Sequence, residues 1–174
     1  MSVINNRVRV GLIGAGRMGS FHATSLAQKV PGAVLAAVAD PVPGAAQRLA
    51  EQLGAGKFYS EPQAMLDDPE IDAVLIATPA RTHAELVAAA ARAGKHVFCE
   101  KPVGGTPEQT VRIEAASRKA GVITGVGYNY RWAPLVQYAK NLIADGALGE
   151  ITNYNGRFFT MYGSDPMGLL SWRY

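Results

Sequence analysis

Near its N-terminus the chain reads Arg7-Val8-Arg9-Val10-Gly11-Leu12-Ile13-Gly14-Ala15-Gly16-Arg17-Met18-Gly19. The apolar residues up to Ile13 predict a buried strand, and the glycines after it have the spacing G-x-G-x-x-G at the start of a helix. In this arrangement Gly14 permits a tight turn, Gly16 lets the backbone approach a diphosphate, and Gly19 lets the helix pack close to the strand. The helix N-terminus adds free N–H groups and a partial positive charge. We therefore predict that a dinucleotide binds at this turn, against Gly14, Gly16, Arg17, Met18 and Gly19.

A second apolar run, Ala33 to Ala39, ends at Asp40, which follows Gly19 by about 20 residues. An acidic residue at this point accepts hydrogen bonds from the adenosine ribose, and its charge repels a 2′-phosphate. Residues 41–47 contain no Arg or Lys that would attract such a phosphate. These features favour NAD over NADP as the cofactor. The alternative is that Asp40 only caps a helix predicted from about Pro43 to Leu53.

Composition narrows the class of protein. A chain of 174 residues is long enough for one domain with a substantial core and part of another. The net charge is +3, with Lys and Arg scattered, and no apolar run reaches the roughly 18 residues of a membrane helix. The single cysteine, Cys99, lies in an apolar run and is predicted to be an inert core thiol. We expect a cytoplasmic protein that binds neither nucleic acid nor a membrane.

Apolar runs alternate with helical patterns along the first 126 residues. The runs lie at about 7–13, 33–39, 73–77, 96–99 and 122–126, with a shorter one at 57–59. They are continuous, which is typical of parallel strands covered on both faces. Thr106-Pro107-Glu108-Gln109 is a capping box that begins a helix predicted to end at Gly121. We predict an α/β fold in which residues 1–126 form a doubly wound Rossmann dinucleotide-binding domain.

The pattern changes after Val126. Residues 127–132 are aromatic and polar, and residues 150–161 alternate in the manner of a long strand. We predict that residues 127–174 begin a second α/β domain with a mostly antiparallel sheet. Because one strand is not a sheet, this second domain is expected to be incomplete.

Polar residues follow the fourth and fifth strands, where ligands of doubly wound sheets bind. Thr78 and Pro79 close the fourth strand and are predicted at the cofactor's edge, with a plain helix start as an equal alternative. His83 lies four residues further on. It either faces the cofactor cleft or, the reading that we favour, is a solvated or structural histidine.

Glu100 and Lys101 follow the fifth strand at the same predicted edge. A lysine here would approach the nicotinamide and a substrate hydroxyl, and its ammonium would polarise a carbonyl or hydrogen-bond an alcohol. Glu100 would orient Lys101 or contact the cofactor. The alternative is a charged loop that simply reaches water.

These segments together resemble the Gfo/Idh/MocA oxidoreductases, a family named for glucose–fructose oxidoreductase, inositol dehydrogenase and a rhizopine catabolism protein. The matching pieces are Gly14–Gly19, Asp40, Ala77-Thr78-Pro79 with His83, Glu100-Lys101-Pro102 and Gly127-Tyr128-Asn129-Tyr130-Arg131. The resemblance implies an N-terminal NAD(P)-binding domain and a C-terminal domain whose open sheet forms the substrate wall and the interface of a homo-oligomer, a dimer or tetramer. It also implies reversible hydride transfer between nicotinamide and a secondary alcohol of a sugar, inositol or related polyol.

The resemblance also assigns expected roles to single residues. Lys101 corresponds to a catalytic residue of the family that also contacts substrate. The segment around Asn129 is expected beside the nicotinamide, with Asn129 at the cofactor and Tyr130 and Arg131 at the substrate. A Trp-Arg segment of the family matches Trp172 and Arg173, which are expected at the substrate. No metal site is expected.

The chain departs from the family at its C-terminal end. The family's D-x-G-x-H-x-x-D motif, which carries the acid/base histidine, does not occur before Tyr174, and the three histidines His22, His83 and His96 lie in other contexts. We therefore expect this chain to be the N-terminal part of a longer enzyme and to be inactive alone. Two alternatives stay open: a non-catalytic NAD-binding module or sensor, and an NAD-dependent glycoside hydrolase of the same family.

Overall fold

The computed structural model describes residues 7–159, 161 and 167. One sheet is built from six strands: β1 (Val8–Ile13), β2 (Ala33–Ala39), β3 (Lys57–Tyr59), β4 (Ala73–Ile76), β5 (His96–Cys99) and β6 (Thr124–Val126). The α-helices are α1 (Arg17–Gln28), α2 (Ala45–Leu53), α3 (Pro62–Leu66), α4 (His83–Arg92), α5 (Pro107–Ala120) and α6 (Pro134–Ala144). Short 3₁₀ turns cover Ala80–Thr82 and Asn129–Trp132.

The sheet is parallel throughout, with the strand order β3-β2-β1-β4-β5-β6. The chain leaves β1 toward β2 on one side and returns to β4 on the other. This reversal of direction opens a crevice beyond the carboxyl ends of β1 and β4, where doubly wound sheets bind their ligands. The predicted Rossmann fold is thus confirmed for the first part of the chain.

Apolar residues cover both faces of the sheet, as the continuous strands predicted. One core lies under α3, α4 and α5 and contains, among others, Met65, Ile76, Val87 and Ile113. The other lies under α1 and α2 and contains Leu12, Ala23, Leu35 and Leu49. Removing such side chains from water is the main force that holds parallel strands of this kind together.

Local signals explain where the helices begin and end. The Thr106 hydroxyl accepts a hydrogen bond from the Gln109 N–H at 3.3 Å and caps α5, as the capping box predicted. Gln109 completes the turn by accepting from the Gly105 N–H. Gly121 ends α5 with φ of 67°, a left-handed conformation that glycine adopts without strain.

Buried charged groups have hydrogen-bond partners at the amino ends of the strands, opposite the crevice. The Arg9 guanidinium donates to both oxygens of the Asp72 carboxylate, at 3.0 and 2.9 Å. The buried Lys95 ammonium donates to the carbonyl oxygens of Asp68 and Ile71 at 2.7 and 2.8 Å. These contacts satisfy charges that burial would otherwise make costly, and they join the turn before β4 to the starts of β1 and β5.

The expected antiparallel sheet of a second domain is wrong for the described residues. The chain divides into two units between Asn129 and Tyr130, and within the second unit residues 151–159 form neither helix nor strand and are exposed. Alternation of apolar and polar residues predicts a strand only where a second strand pairs with its N–H and C=O groups. No such partner occurs among the residues described after position 129.

No helix in the described part of the chain combines the length and apolarity required to cross a membrane.

Candidate functional site

The glycine turn after β1 has the geometry of a diphosphate-binding loop. Gly14 has φ of 100°, and a Cβ there would stand 2.9 Å from the Ala77 carbonyl group, so a larger residue would be both strained and crowded. A Cβ on Gly19 would collide with the Gly14 carbonyl oxygen. Gly16 is the N-cap of α1, no side chain caps it, and no atom lies within 4 Å of where its Cβ would be. Among the described residues, no group accepts a hydrogen bond from the first N–H groups of α1, so these groups are available to an anion.

Asp40, at the end of β2, belongs to the same loop cluster. Its Oδ2 accepts a hydrogen bond from the Ala15 N–H at 2.7 Å, and its Oδ1 accepts one from the Val42 N–H at 2.8 Å. The alternative role as the cap of α2 does not hold, because that helix begins at Ala45 with Gly44 as its N-cap. Asp40 instead joins the glycine turn to the loop after β2.

A cavity of about 510 Å³ lies at the carboxyl edge of the sheet. It is lined by Gly14, Gly16, Asp40, Thr78, Pro79 and Arg81, among others. A neighbouring cavity of about 480 Å³ shares Asp40, Pro41 and Val42 with it and extends toward Tyr59. Two adjoining cavities around one carboxylate provide room for an elongated ligand such as a dinucleotide. Exposed Met18 and Arg17 lie in the first turn of α1, beside this glycine turn.

Thr78 presents its hydroxyl within this cleft. The Thr78 and Thr82 hydroxyl oxygens lie 2.7 Å apart, and the Thr82 hydroxyl also donates to the Pro79 carbonyl oxygen at 2.8 Å. A hydroxyl has one proton, so Thr78 is the donor to Thr82. The lone pairs of Thr78 are therefore available to accept from a ligand.

His83 is buried in the interior, with 1% of its surface exposed. Its Nδ1 lies 2.7 Å from the Pro102 carbonyl oxygen and its Nε2 lies 2.8 Å from the Thr78 carbonyl oxygen. Both ring nitrogens thus contact backbone carbonyl groups, as in a structural histidine, and the predicted contact of His83 with the cofactor stays a prediction. The ring links the loop after β4 to the loop after β5.

Glu100 and Lys101 lie where β5 ends. The Glu100 Oε1 is 2.8 Å from the His22 Nε2, and its Oε2 accepts from the Lys101 N–H at 3.2 Å. The Lys101 side chain is exposed, and the peptide bond to Pro102 is cis. The structure therefore brings a flexible cation to the same edge of the sheet as the glycine turn.

Cys99 immediately precedes this segment and takes no part in such chemistry. Burial, and secondly the charge of Glu100, raise the pKa of its thiol to about 12. The group stays a neutral thiol near neutral pH, so it offers no nucleophile.

The remaining predicted residues lie at or beyond the start of the second unit. Asn129 and Tyr130 are exposed in the second 3₁₀ turn, and the Tyr130 ring packs against Phe158 with 5.4 Å between centroids. The Arg131 carbonyl oxygen accepts a hydrogen bond from the Gln137 side chain. The predictions at Trp172 and Arg173 fall outside the described residues.

Sequence reasoning did not identify His22 or Arg81 at this edge. His22 lies 78 residues from its partner Glu100, a separation that no local pattern reveals. Arg81 follows Pro79 by two residues, and its position after a strand end was the one available signal. Within the described part of the chain, no group of three or more metal-binding side chains occurs.

The parallel sheet, glycine turn and cleft define a Rossmann-type protein. A family model described as "Oxidoreductase family, NAD-binding Rossmann fold", that of Gfo/Idh/MocA, matches residues 8–128. The chain therefore belongs to the Gfo/Idh/MocA oxidoreductase family.

Curated relatives agree with this family. The chain is 39% identical to scyllo-inositol 2-dehydrogenase (NAD(+)) of Bacillus subtilis (strain 168), over 94% of this chain and 47% of the relative. It is 37% identical to levoglucosan dehydrogenase of Pseudarthrobacter phenanthrenivorans, over 96% of this chain and 45% of that relative. A solved structure of scyllo-inositol dehydrogenase from Lactobacillus casei with bound NAD(H) and scyllo-inositol matches with a TM-score of 0.79 and 32% identity, over 84% of this chain and 43% of that one. The chain thus spans less than half the length of these relatives.

Proposed function

We propose that this chain supplies the NAD-binding part of a dehydrogenase that moves a hydride between nicotinamide and a secondary alcohol of an inositol, sugar or related polyol. The observation that carries the proposal is the carboxyl edge of the sheet, which holds both the cleft lined by Gly16 and Asp40 and the Glu100–Lys101 segment that follows β5. Family membership and the names of the relatives support the same reaction.

The residues of the cleft fit NAD. The open space beside Gly16 and the free N–H groups of the first turn of α1 suit a diphosphate, because each N–H donates to an anionic oxygen. The Asp40 carboxylate suits the two hydroxyls of an adenosine ribose and opposes a 2′-phosphate. The Thr78 hydroxyl, with its lone pairs available, suits a donor on the nicotinamide side of the ligand.

Lys101 is the proposed catalytic residue. Bound NAD would supply the hydride acceptor. The residues of the protein would bind the alcohol and exchange its hydroxyl proton. During oxidation the neutral Lys101 amine would accept the hydroxyl proton and become an ammonium, while the hydride would pass from the adjacent carbon to bound NAD. During reduction its ammonium donates to the carbonyl oxygen, where negative charge develops. Tyr130, Arg131, Trp172 and Arg173 are the proposed substrate contacts, and Asn129 a further cofactor contact.

A substrate scan with the full-length protein tests the proposal. NAD titration by calorimetry measures binding, and NADH formation is followed with scyllo-inositol, myo-inositol, levoglucosan and simple sugars. We expect NAD binding, turnover of at least one polyol, and sharply reduced turnover with retained NAD binding in Lys101→Ala. Binding without any turnover would favour a non-catalytic module, and glycoside cleavage without net NADH would favour a hydrolase. Near-normal turnover by Lys101→Ala would remove that residue from the mechanism.

A further inference from the structure

We propose that His22 is a positioning residue that holds the Glu100 carboxylate, and through it the Lys101 backbone, in the geometry for hydride transfer. This inference rests on the proposed function of Lys101. His22 lies in α1, one turn beyond Met18, and no motif discussed above assigns it a role.

The contact between His22 and Glu100 is specific and sheltered. Nε2 and Oε1 lie 2.8 Å apart, and the two side chains are 18% and 13% exposed. A carboxylate oxygen only accepts hydrogen bonds, so Nε2 is the donor. Because the acceptor is a carboxylate and the contact is largely removed from water, this hydrogen bond is stronger than one at the surface.

Aromatic rings fix the orientation of the imidazole. The His22 ring lies edge-to-face with Phe98, at 5.9 Å between centroids and 65° between planes. Phe21 makes a second edge contact at 6.1 Å and 78°. The Nε2 is therefore aimed at the end of β5 by packing as well as by its hydrogen bond.

Backbone contacts hold both the carboxylate and the main chain of Glu100. Its Oε2 accepts from the Lys101 N–H at 3.2 Å, and the Glu100 N–H donates to the Ile76 carbonyl oxygen at 2.9 Å. A Cβ on Gly127 would stand 2.9 Å from Oε1, so the absence of a side chain there makes room for the carboxylate. One carboxylate thus connects α1 to the first residue after Glu100.

Lys101 needs such support because its own side chain is exposed and has four rotatable bonds. Its backbone is held on one side by the Glu100 carboxylate and on the other by the Pro102 carbonyl, which contacts the His83 ring. Without His22, the Glu100 carboxylate loses one of its hydrogen bonds, and the Lys101 backbone that it holds becomes more mobile. Misplacement of about 1 Å is enough to lower a rate by about 100-fold.

The test uses His22→Leu in the full-length protein, with His22→Gln as the conservative variant, since a Gln amide reaches the position of Nε2. His96→Leu is the matched control. His96 Nδ1 also makes one hydrogen bond, from the Ile123 N–H at 3.0 Å, but it lies at the opposite end of β5. We expect His22→Leu to lower kcat by about 10- to 100-fold with the NAD dissociation constant unchanged. His22→Gln should recover most of that loss, and His96→Leu should keep the wild-type kcat.

A double variant separates positioning from general stability. If His22 acts through Glu100, His22→Leu causes no further loss of kcat in a Glu100→Ala background. Additive losses, an unchanged kcat in His22→Leu, or an equal loss in His96→Leu would each overturn the proposal.

A second measurement does not depend on turnover. Amide hydrogen exchange at Lys101, followed by NMR in the protein without substrate, should be faster in His22→Leu than in the wild type and near normal in His22→Gln. If no polyol is turned over at all, the proposed function fails, and this exchange rate still decides the positioning role. Unchanged exchange at Lys101 in His22→Leu would overturn it.

Discussion

The Ala15 N–H donates a hydrogen bond to the Asp40 Oδ2 at 2.7 Å and thereby ties the glycine turn to the end of β2. The second oxygen of the carboxylate is engaged by the Val42 N–H at 2.8 Å. Asp40 therefore shapes the two loops that border the cleft, in addition to presenting a negative charge to it. A substitution at Asp40 is expected to act on both loops at once.

Asp40→Ala is expected to weaken NAD binding by about 10- to 100-fold, since a hydrogen bond to a charged group contributes about 1.5–3 kcal/mol. It should also narrow the ratio of NAD to NADP affinity, because the charge that repels a 2′-phosphate is lost. Calorimetric titration with both dinucleotides measures this. Asp67→Ala, which removes an exposed carboxylate after α3, should leave both affinities unchanged. An unchanged ratio in Asp40→Ala would mean that the residue only organises the loops.

Two glycines of the same turn should respond differently to alanine. Gly19→Ala should lower the free energy of unfolding by about 1–3 kcal/mol, because its Cβ collides with the Gly14 carbonyl oxygen. Gly16→Ala should keep stability within about 1 kcal/mol, since its φ of −72° is ordinary and its Cβ meets no atom. Its NAD affinity should nevertheless fall, because the Cβ enters the space of the ligand. Urea denaturation and NAD titration of both variants test this, and normal NAD binding by Gly16→Ala would argue against a close approach at that point.

Stability should fall in acid through Asp68. Burial opposes ionisation of this carboxyl, but hydrogen bonds from Lys57, Tyr59 and the Glu70 N–H outweigh it and hold its pKa at about 2, below the ordinary 3.8. Because the folded-state pKa lies below the unfolded value, the ionised Asp68 stabilises the fold above pH 3.8. This contribution is lost as the pH falls through about 2.

The pH dependence of denaturation measures this contribution. Asp68→Asn should be less stable than the wild type near neutral pH and should lose less stability in acid. The stability of this variant should still depend on pH to some extent, because the hydrogen bond from Arg9 also lowers the pKa of Asp72. Asp67→Asn, at the exposed neighbour, should follow the wild-type curve, and an unchanged curve in Asp68→Asn would contradict the prediction.

Lys95→Met should lower the free energy of unfolding by about 1–3 kcal/mol, because the carbonyl oxygens of Asp68 and Ile71 lose their donor. Its NAD affinity should not change, since these groups lie at the amino ends of the strands. Lys119→Met, at an exposed position in α5, is the matched control. Wild-type stability in Lys95→Met would mean that the burial cost, which lowers the pKa of this ammonium, cancels both hydrogen bonds.

Most elements of the first unit could be predicted from local residue patterns. The apolar run that ends at Gly14 predicted β1, and Thr106 and Gly121 predicted both ends of α5, because caps are chosen within one turn of chain. The alternating residues 150–161 were predicted to form a strand, but residues 151–159 form neither helix nor strand. Alternation is a local signal, whereas a strand also requires a distant partner, and the described residues of the second unit contain none.

The contacts within the candidate site were harder to predict from the sequence. Motif spacing located Asp40, Thr78 and Lys101 at one sheet edge, since the carboxyl ends of parallel strands share that edge. The hydrogen bond between Ala15 and Asp40 and the pair between His22 and Glu100 join segments far apart in the chain. Such pairs depend on side-chain directions in the folded structure, which neither periodicity nor composition encodes.

The Arg9–Asp72 ion pair and the Lys95 ammonium lie at one end of the strands, and the candidate site lies at the other. This separation has a consequence for how the protein can change. Substitutions that retune ligand preference around Asp40 or Thr78 leave the anchoring of the sheet intact, so an engineer or natural selection can vary specificity with little risk to folding. The amino-end charges, in turn, are a place to add thermal tolerance without disturbing the chemistry.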